Sequence, residues 1–140
     1  MHLFVYGTLR RADSLPMHRL LGPATFVGPG RFHGRLYDLG TYPAAVASTD
    51  DADVVHGEVY SLHEPAAALA ALDRYEGCTA DNPTPHEYIR TTAEIYLEPD
   101  FTAIIAQVYL YNRPVTGLTY LPSGDYLEWL ARLSSSSAGA

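Results

Sequence analysis

A chain of 140 residues is long enough to bury one core of its own, and with a single cysteine, Cys78, it closes no intramolecular disulfide. The formal net charge is −7 and every basic residue is an arginine. An acidic surface with scattered arginines excludes general nucleic-acid or anionic-membrane binding, which needs a basic patch. No apolar run of about 20 residues occurs, so the expectation is an untargeted cytoplasmic protein.

The chain opens on Leu3, Phe4, Val5 and Tyr6, a run too short for a helix and read as a buried strand that Gly7 ends. A glycine there marks a backbone that turns sharply or lets a neighbour approach closely. The N–H groups of Gly7, Thr8 and Leu9 would form a concavity suited to a carboxylate. A tight turn without a ligand accounts for the same residues, and this stretch alone leaves both open. Residues 10–16 read as irregular and 17–21 as one packed turn stopped by Gly22-Pro23.

Residues 24–27 and 31–39 then read as two strands separated by Gly28-Pro29-Gly30. In the second, Phe32, Gly34 and Leu36 alternate with His33, Arg35 and Tyr37, and neither face is cleanly polar, as in a small closed or strongly curved sheet. An extended piece runs from Tyr42-Pro43 to Ala47, an acidic turn follows at 48–53, and 54–62 is a strand with a bulge or bend at Gly57. Pro65 opens a helix that reaches Tyr75 or Glu76 and is closed by Gly77. The loop 78–86 is long for a mere connection, and loops of that kind often border sites. Residues 87–97 and 103–111 form a strand pair with Tyr88, Arg90, Thr92, Glu94 and Tyr96 on one face, either solvent-facing or lining a pocket. A terminal helix spans 126–133. Residues 1–133 read as one domain and 134–140 as a disordered tail.

The helix from Pro65 holds the most informative side chain. At 100° per residue Leu69 and Leu72 centre the buried stripe, and Glu76 falls between them, whereas Arg74 points away and Asp73 sits at the edge. A carboxylate on the core side of a helix C-terminus is desolvated and opposed by the macrodipole, and both effects raise its pKa toward the range of a general acid/base. The competing arrangement is a helix that frays before Glu76 and frees it to water or to an arginine such as Arg90.

The ordered set Phe4-Val5-Tyr6-Gly7-Thr8-Leu9-Arg10, Gly34-Arg35-Leu36-Tyr37, Tyr42-Pro43, Gly57-Glu58-Val59-Tyr60, Leu72-Asp73-Arg74-Tyr75-Glu76-Gly77, Tyr88-Ile89-Arg90 and Ser123-Gly124-Asp125-Tyr126 resembles the gamma-glutamylcyclotransferase-like superfamily, particularly its small gamma-glutamylamine cyclotransferase branch. The resemblance spans all but the tail. It implies an α+β fold, a small mixed β-barrel flanked by a few helices, with one open pocket at its mouth. It further implies that Tyr6, Gly7, Thr8 and Leu9 hold the glutamyl end of a substrate through backbone groups and that Glu76 is the catalytic acid/base. Arg10, Tyr88 and Tyr111 complete the candidate substrate-binding set, with Arg90 a further candidate for the wall, although tyrosines at strand spacing also serve as plain packing.

The reaction so implied is an acyl-transfer or lyase-type cyclisation. The α-amine of a γ-glutamyl amine or amino acid attacks its own γ-carbonyl, giving 5-oxoproline and the free amine. The nucleophile belongs to the substrate, so no cofactor and no metal is expected, and the six histidines include no closely spaced pair. The expected partner is the small γ-glutamyl substrate alone, with no nucleic acid and no membrane, on a monomer or homodimer. Three other readings compete: a Cys78 thiol nucleophile with His86 as base, a non-catalytic binding protein for a γ-glutamyl or other small carboxylate metabolite, and an interaction module with an exposed apolar patch. The leaving group is unspecified by the sequence; loops 10–16, with Arg10, Arg11 and Asp13, and 78–86 are where its selection would lie.

Overall fold

The computed structural model describes residues 1–7, 19–40 and 42–139. Among these residues seven strands and two α-helices follow in the order β1 (His2–Val5), a 3-10 turn at Arg19–Leu21, β2 (Ala24–Asp38), β3 (Pro43–Ala47), β4 (Val54–Leu62), α1 (Pro65–Glu76), β5 (Tyr88–Leu97), β6 (Thr102–Tyr111), β7 (Thr119–Leu121) and α2 (Tyr126–Gly139). Five strands close on themselves in the order β2-β4-β1-β6-β5, with β5 returning to β2 at Gly30↔Leu97 and Arg31↔Tyr96. All neighbours are antiparallel except β1 and β6, so the barrel is mixed and the fold α+β, as expected.

β2 corrects the sequence reading. It is one strand of 15 residues, not two, and its Gly28-Pro29-Gly30 segment stays paired with β4 as Gly28↔Val59, Pro29↔Glu58 and Gly30↔Gly57. Gly-Pro-Gly reads as a break because these residues favour turns. Here the irregularity is a bulge between Phe26 and Gly28, which bends a long strand enough to serve both sides of a barrel. Gly57 is correspondingly no bulge: it pairs in register, and a Cβ there would lie 2.3 Å from the Val5 carbonyl oxygen. The far end of β2 pairs with β3 on one side and with β7 on the other.

Two apolar layers share the barrel wall. Alternation along β1 sends Phe4 and Tyr6 inward with Phe32, Leu36, Val55, Val59, Ile95 and Val108, while Leu3 and Val5 face outward. The outward set joins Tyr60, Leu62 and Tyr109 against Ala68, Leu69 and Leu72 of α1 and Leu21 of the 3-10 turn. Helix α2 adds Tyr126, Trp129 and Leu130 to the inner layer. Asp125 caps it, its carboxylate accepting the Glu128 N–H at 3.1 Å. The helix continues to Gly139, past Leu133, where the sequence reading ends it in a disordered tail. Serine carries only a modest helix penalty, so the run does not stop the helix as glycine or proline would. Among the described residues no helix is long and apolar enough to cross a membrane.

Candidate active site

Helix α1 begins with Pro65 in its first turn and ends in a left-handed Gly77 (φ 72°). The Gly77 N–H donates to the Arg74 carbonyl at 3.2 Å and the Cys78 N–H to the Asp73 carbonyl at 3.0 Å, the paired bonds of a Schellman cap. The helix therefore does not fray, and Glu76 is its last residue. Leu69 and Leu72 anchor the same face on the barrel, and Arg74 is exposed.

One turn earlier, Asp73 ties this end of the helix to two strands. Its carboxylate accepts from Arg90 Nε at 2.9 Å and Nη2 at 3.2 Å, and from the Tyr109 hydroxyl at 2.6 Å. Arg90 also donates from Nη1 to Gln107 Oε1 at 2.9 Å. Burial pulls the Asp73 carboxyl up, but the bonds from Arg90 and Tyr109 outweigh it and hold the group below the usual carboxylate range. The arginine that was the alternative partner for Glu76 is thus committed to Asp73.

A cavity of about 310 Å³ opens where β1 ends, beside the C-terminus of α1 and the starts of β3 and β5. Phe4, Val5, Tyr6, Gly7, Pro43, Tyr88 and Tyr109 line it, with Tyr42, Tyr75, Glu76 and Glu87. Burial pushes the Glu76 carboxyl up to about 7, and the negative charge of Glu87 adds to the rise. Glu87 is held from the side, its carboxylate accepting from Arg113 Nη1 at 3.3 Å and from the Tyr42 hydroxyl at 3.3 Å.

The inner tyrosines spend their hydroxyls on the frame. Tyr6 donates to the Tyr109 carbonyl, Tyr88 to the Pro43 carbonyl at 2.6 Å, and Tyr109 to Asp73. Burial is the largest cause that raises all three phenols above their ordinary range, so they stay neutral and act as walls and dipoles. At Gly7 a Cβ would stand 2.9 Å from Pro43 Cγ, so the glycine permits the close approach that brings β3 against the end of β1.

Of the residues singled out from the sequence, Tyr6, Gly7, Glu76 and Tyr88 converge on this cavity. Tyr111 does not line it: it sits opposite Tyr88 in the β5–β6 ladder and packs edge-on against that ring, centroids 5.6 Å apart. Arg90 serves the Asp73 clamp and is not a lining residue. Thr8, Leu9, Arg10, Arg11 and Asp13 lie outside the described residues. Cys78 Sγ donates to Asp73 at 3.8 Å, and burial with the nearby Asp73 and Glu76 charges pushes the thiol up, the reverse of nucleophile activation. The buried His86 Nε2 makes no hydrogen bond, so His86 is not a base for that thiol through this nitrogen. Among the described residues no three His, Cys, Asp or Glu side chains converge as a metal site would require.

Glu87, Tyr75, Tyr109 and the tether role of Asp73 escaped the sequence reading. Register supplies a signal for Tyr109: pairing the two predicted strands places it opposite Arg90, beside the helix. Glu87 precedes its strand and breaks no period.

A sequence model of the family described as "Gamma-glutamyl cyclotransferase, AIG2-like" matches residues 3–128. The gamma-glutamylcyclotransferase family protein YtfP of Escherichia coli K12 is 35% identical over 132 residues, spanning 91% of this chain and 97% of that protein. The gamma-glutamylaminecyclotransferase of Rattus norvegicus is 30% identical over 104 residues, 67% of this chain and 62% of that one. Among solved structures, YkqA of Bacillus subtilis superposes with a TM-score of 0.71 at 28% identity, covering 96% of this chain and 42% of that one.

Proposed function

The chain belongs to the gamma-glutamyl cyclotransferase, AIG2-like family, and from that premise we propose that it converts a γ-glutamyl amine or amino acid into 5-oxoproline and the free amine, with Glu76 as general acid and base. The observation that carries this reading is the placement of Glu76, fixed by a helix cap and a clamped neighbour at the edge of a tyrosine-walled cavity, with its carboxyl near 7.

In the proposed cycle the Glu76 carboxylate takes a proton from the substrate's α-ammonium, and the freed nitrogen attacks the γ-carbonyl carbon. The tetrahedral adduct collapses by breaking the bond to the leaving nitrogen, which receives the proton held on Glu76, and the regenerated carboxylate carries the ring nitrogen's second proton to the departing amine, which leaves as its ammonium. One C–N bond forms, one breaks, and no water is consumed. A group with its pKa near neutrality gives and takes a proton at comparable cost, the condition a shuttle needs. The neutral tyrosine walls hold the substrate in its bent, ring-closing conformer, and such orientation is worth roughly 7–11 kcal/mol in intramolecular reactions. The role that the resemblance gives to Gly7, Thr8 and Leu9, backbone binding of the glutamyl end, completes the proposal; Gly7 lines the cavity.

The test is release of 5-oxoproline from a panel of γ-glutamyl amines, γ-glutamyl amino acids and glutathione. Glu76→Gln, which keeps the shape and removes the proton transfer, is expected to lose about 10²–10⁴ in turnover. A folded Glu76→Gln protein with undiminished release would remove Glu76 from the mechanism. Saturable binding without release by the native chain would assign the cavity to a binding protein.

A further inference from the structure

The cavity has an inside and a rim of different composition. Phe4, Val5, Tyr6, Tyr88 and Tyr109 are each at most 6% exposed, whereas Tyr42 and Tyr75 are 42% and 46% exposed, and Glu87, which accepts from the Tyr42 hydroxyl, has a side chain 29% exposed. The glutamyl end, if it binds toward Gly7 with its γ-carbonyl at Glu76, directs the leaving group outward across this rim. Among the described lining residues the two charged groups, Glu76 and Glu87, are both carboxylates, and none is an arginine. Among the described residues two arginines stand beside this cavity's frame and both are already paired: Arg90 on Asp73, and Arg113 on the flank of Glu87.

Resting on the cyclotransferase reading, we propose that Glu87, with the Tyr42 ring beside it and the Tyr75 ring on the same rim, is a specificity-determining set that selects leaving amines carrying a second, positively charged nitrogen and disfavours leaving groups that carry a carboxylate. A carboxylate on a rim that also carries two aromatic rings offers an ammonium both an ion-pair partner and ring faces. The same carboxylate repels an anionic leaving group, so discrimination comes from attraction and repulsion together. The Arg113 contact restrains the effect, since it offsets part of the Glu87 charge. It does not cancel it, because the Glu87 field still reaches Glu76 across the cavity.

The experiment compares three γ-glutamyl monoamides of matched length, those of 1,4-diaminobutane, butylamine and 4-aminobutanoic acid, by kcat/KM for 5-oxoproline release. The expected order is cationic, neutral, anionic, with about tenfold between the extremes at low ionic strength and less in high salt. Glu87→Gln alters all three rates through its influence on Glu76, so the readout is their ratio, which is expected to fall to within about twofold. Arg113→Gln, which releases Glu87 from its ion pair, is expected to widen the ratio, and thermal melting of both variants verifies that each is folded. Equal rates on the three amides in the native protein, or a ratio unmoved by Glu87→Gln, would overturn the assignment and leave the cyclotransferase reading standing. Release from none of the three, nor from the wider panel, would overturn both.

Discussion

With its carboxyl pushed up to about 7 by burial and by the Glu87 charge, Glu76 holds a proton in the folded chain that it has already released in the unfolded chain between its ordinary 4.5 and 7. The folded state therefore binds more protons in that window, and the stability this group contributes is full below about 4.5 and lost as pH rises through about 7. Glu76→Gln, neutral at every pH, escapes that loss. The variant is expected to melt above the native protein at pH 8, by up to about 3 kcal/mol in stability, with the gap closing toward pH 5. A gap that is constant with pH would mean that the carboxyl is not held in this state. The same residue was legible in the sequence because a carboxylate on an apolar stripe contradicts the pattern around it. Glu87 contradicts nothing, and Tyr6, Tyr88 and Tyr109 follow strand alternation as any core tyrosine would, so their hydroxyl assignments become visible only with the strands in register.

At the scale of the element, helix α1 delivers Glu76 by being fastened at three places: the Leu69 and Leu72 face, the Asp73 bonds to β5 and β6, and the Gly77 cap. The Asp73–Arg90 pair is partly exposed, so its share of stability is small, about 1 kcal/mol or less, while its share of alignment is larger. Asp73→Asn keeps an acceptor for Tyr109 and gives up the ionic bond to Arg90. Its expected signature is a fall in kcat of about tenfold with little change in KM and a thermal midpoint within a few degrees of native. A loss confined to KM, or proportional to a large drop in melting temperature, would argue that Asp73 only holds the fold. The helix itself was readable end to end, from Pro65 to Gly77, because caps and periodicity agree there. β2 was not, since local turn chemistry at Gly28-Pro29-Gly30 is overridden by ladder bonds to β4 that no local pattern announces. β7 offers only three residues, too few to show a period.

Across the whole molecule, β1 occupies the position through which the two apolar layers communicate: Leu3 and Val5 press outward on α1, Phe4 fills the barrel, and β4 and β6 flank it on either side. The barrel legible in residues 31–37, where neither face of the alternation is cleanly polar, thus has a strand with Leu3, Phe4 and Val5 all buried at the start of the chain, and Glu76 rests on the layer that this strand supports. The rim is built differently. Pro43 begins β3, and both β3 and β7 pair among the described strands with β2 alone. Such a division places the proton-transfer group on the cooperative core and part of the cavity edge on a strand with one partner, where ligand-dependent adjustment costs least. Hydrogen exchange resolves the two. The amides of Phe4 and Val5 are expected to exchange only through global opening, at least about 100-fold more slowly than those of Thr119 and Tyr120 in β7, with the β3 amides between these limits. Uniform protection across β1, β3 and β7 would make the barrel and its edge strands one cooperative unit, and the cavity edge would then be as rigid as the helix end that faces it.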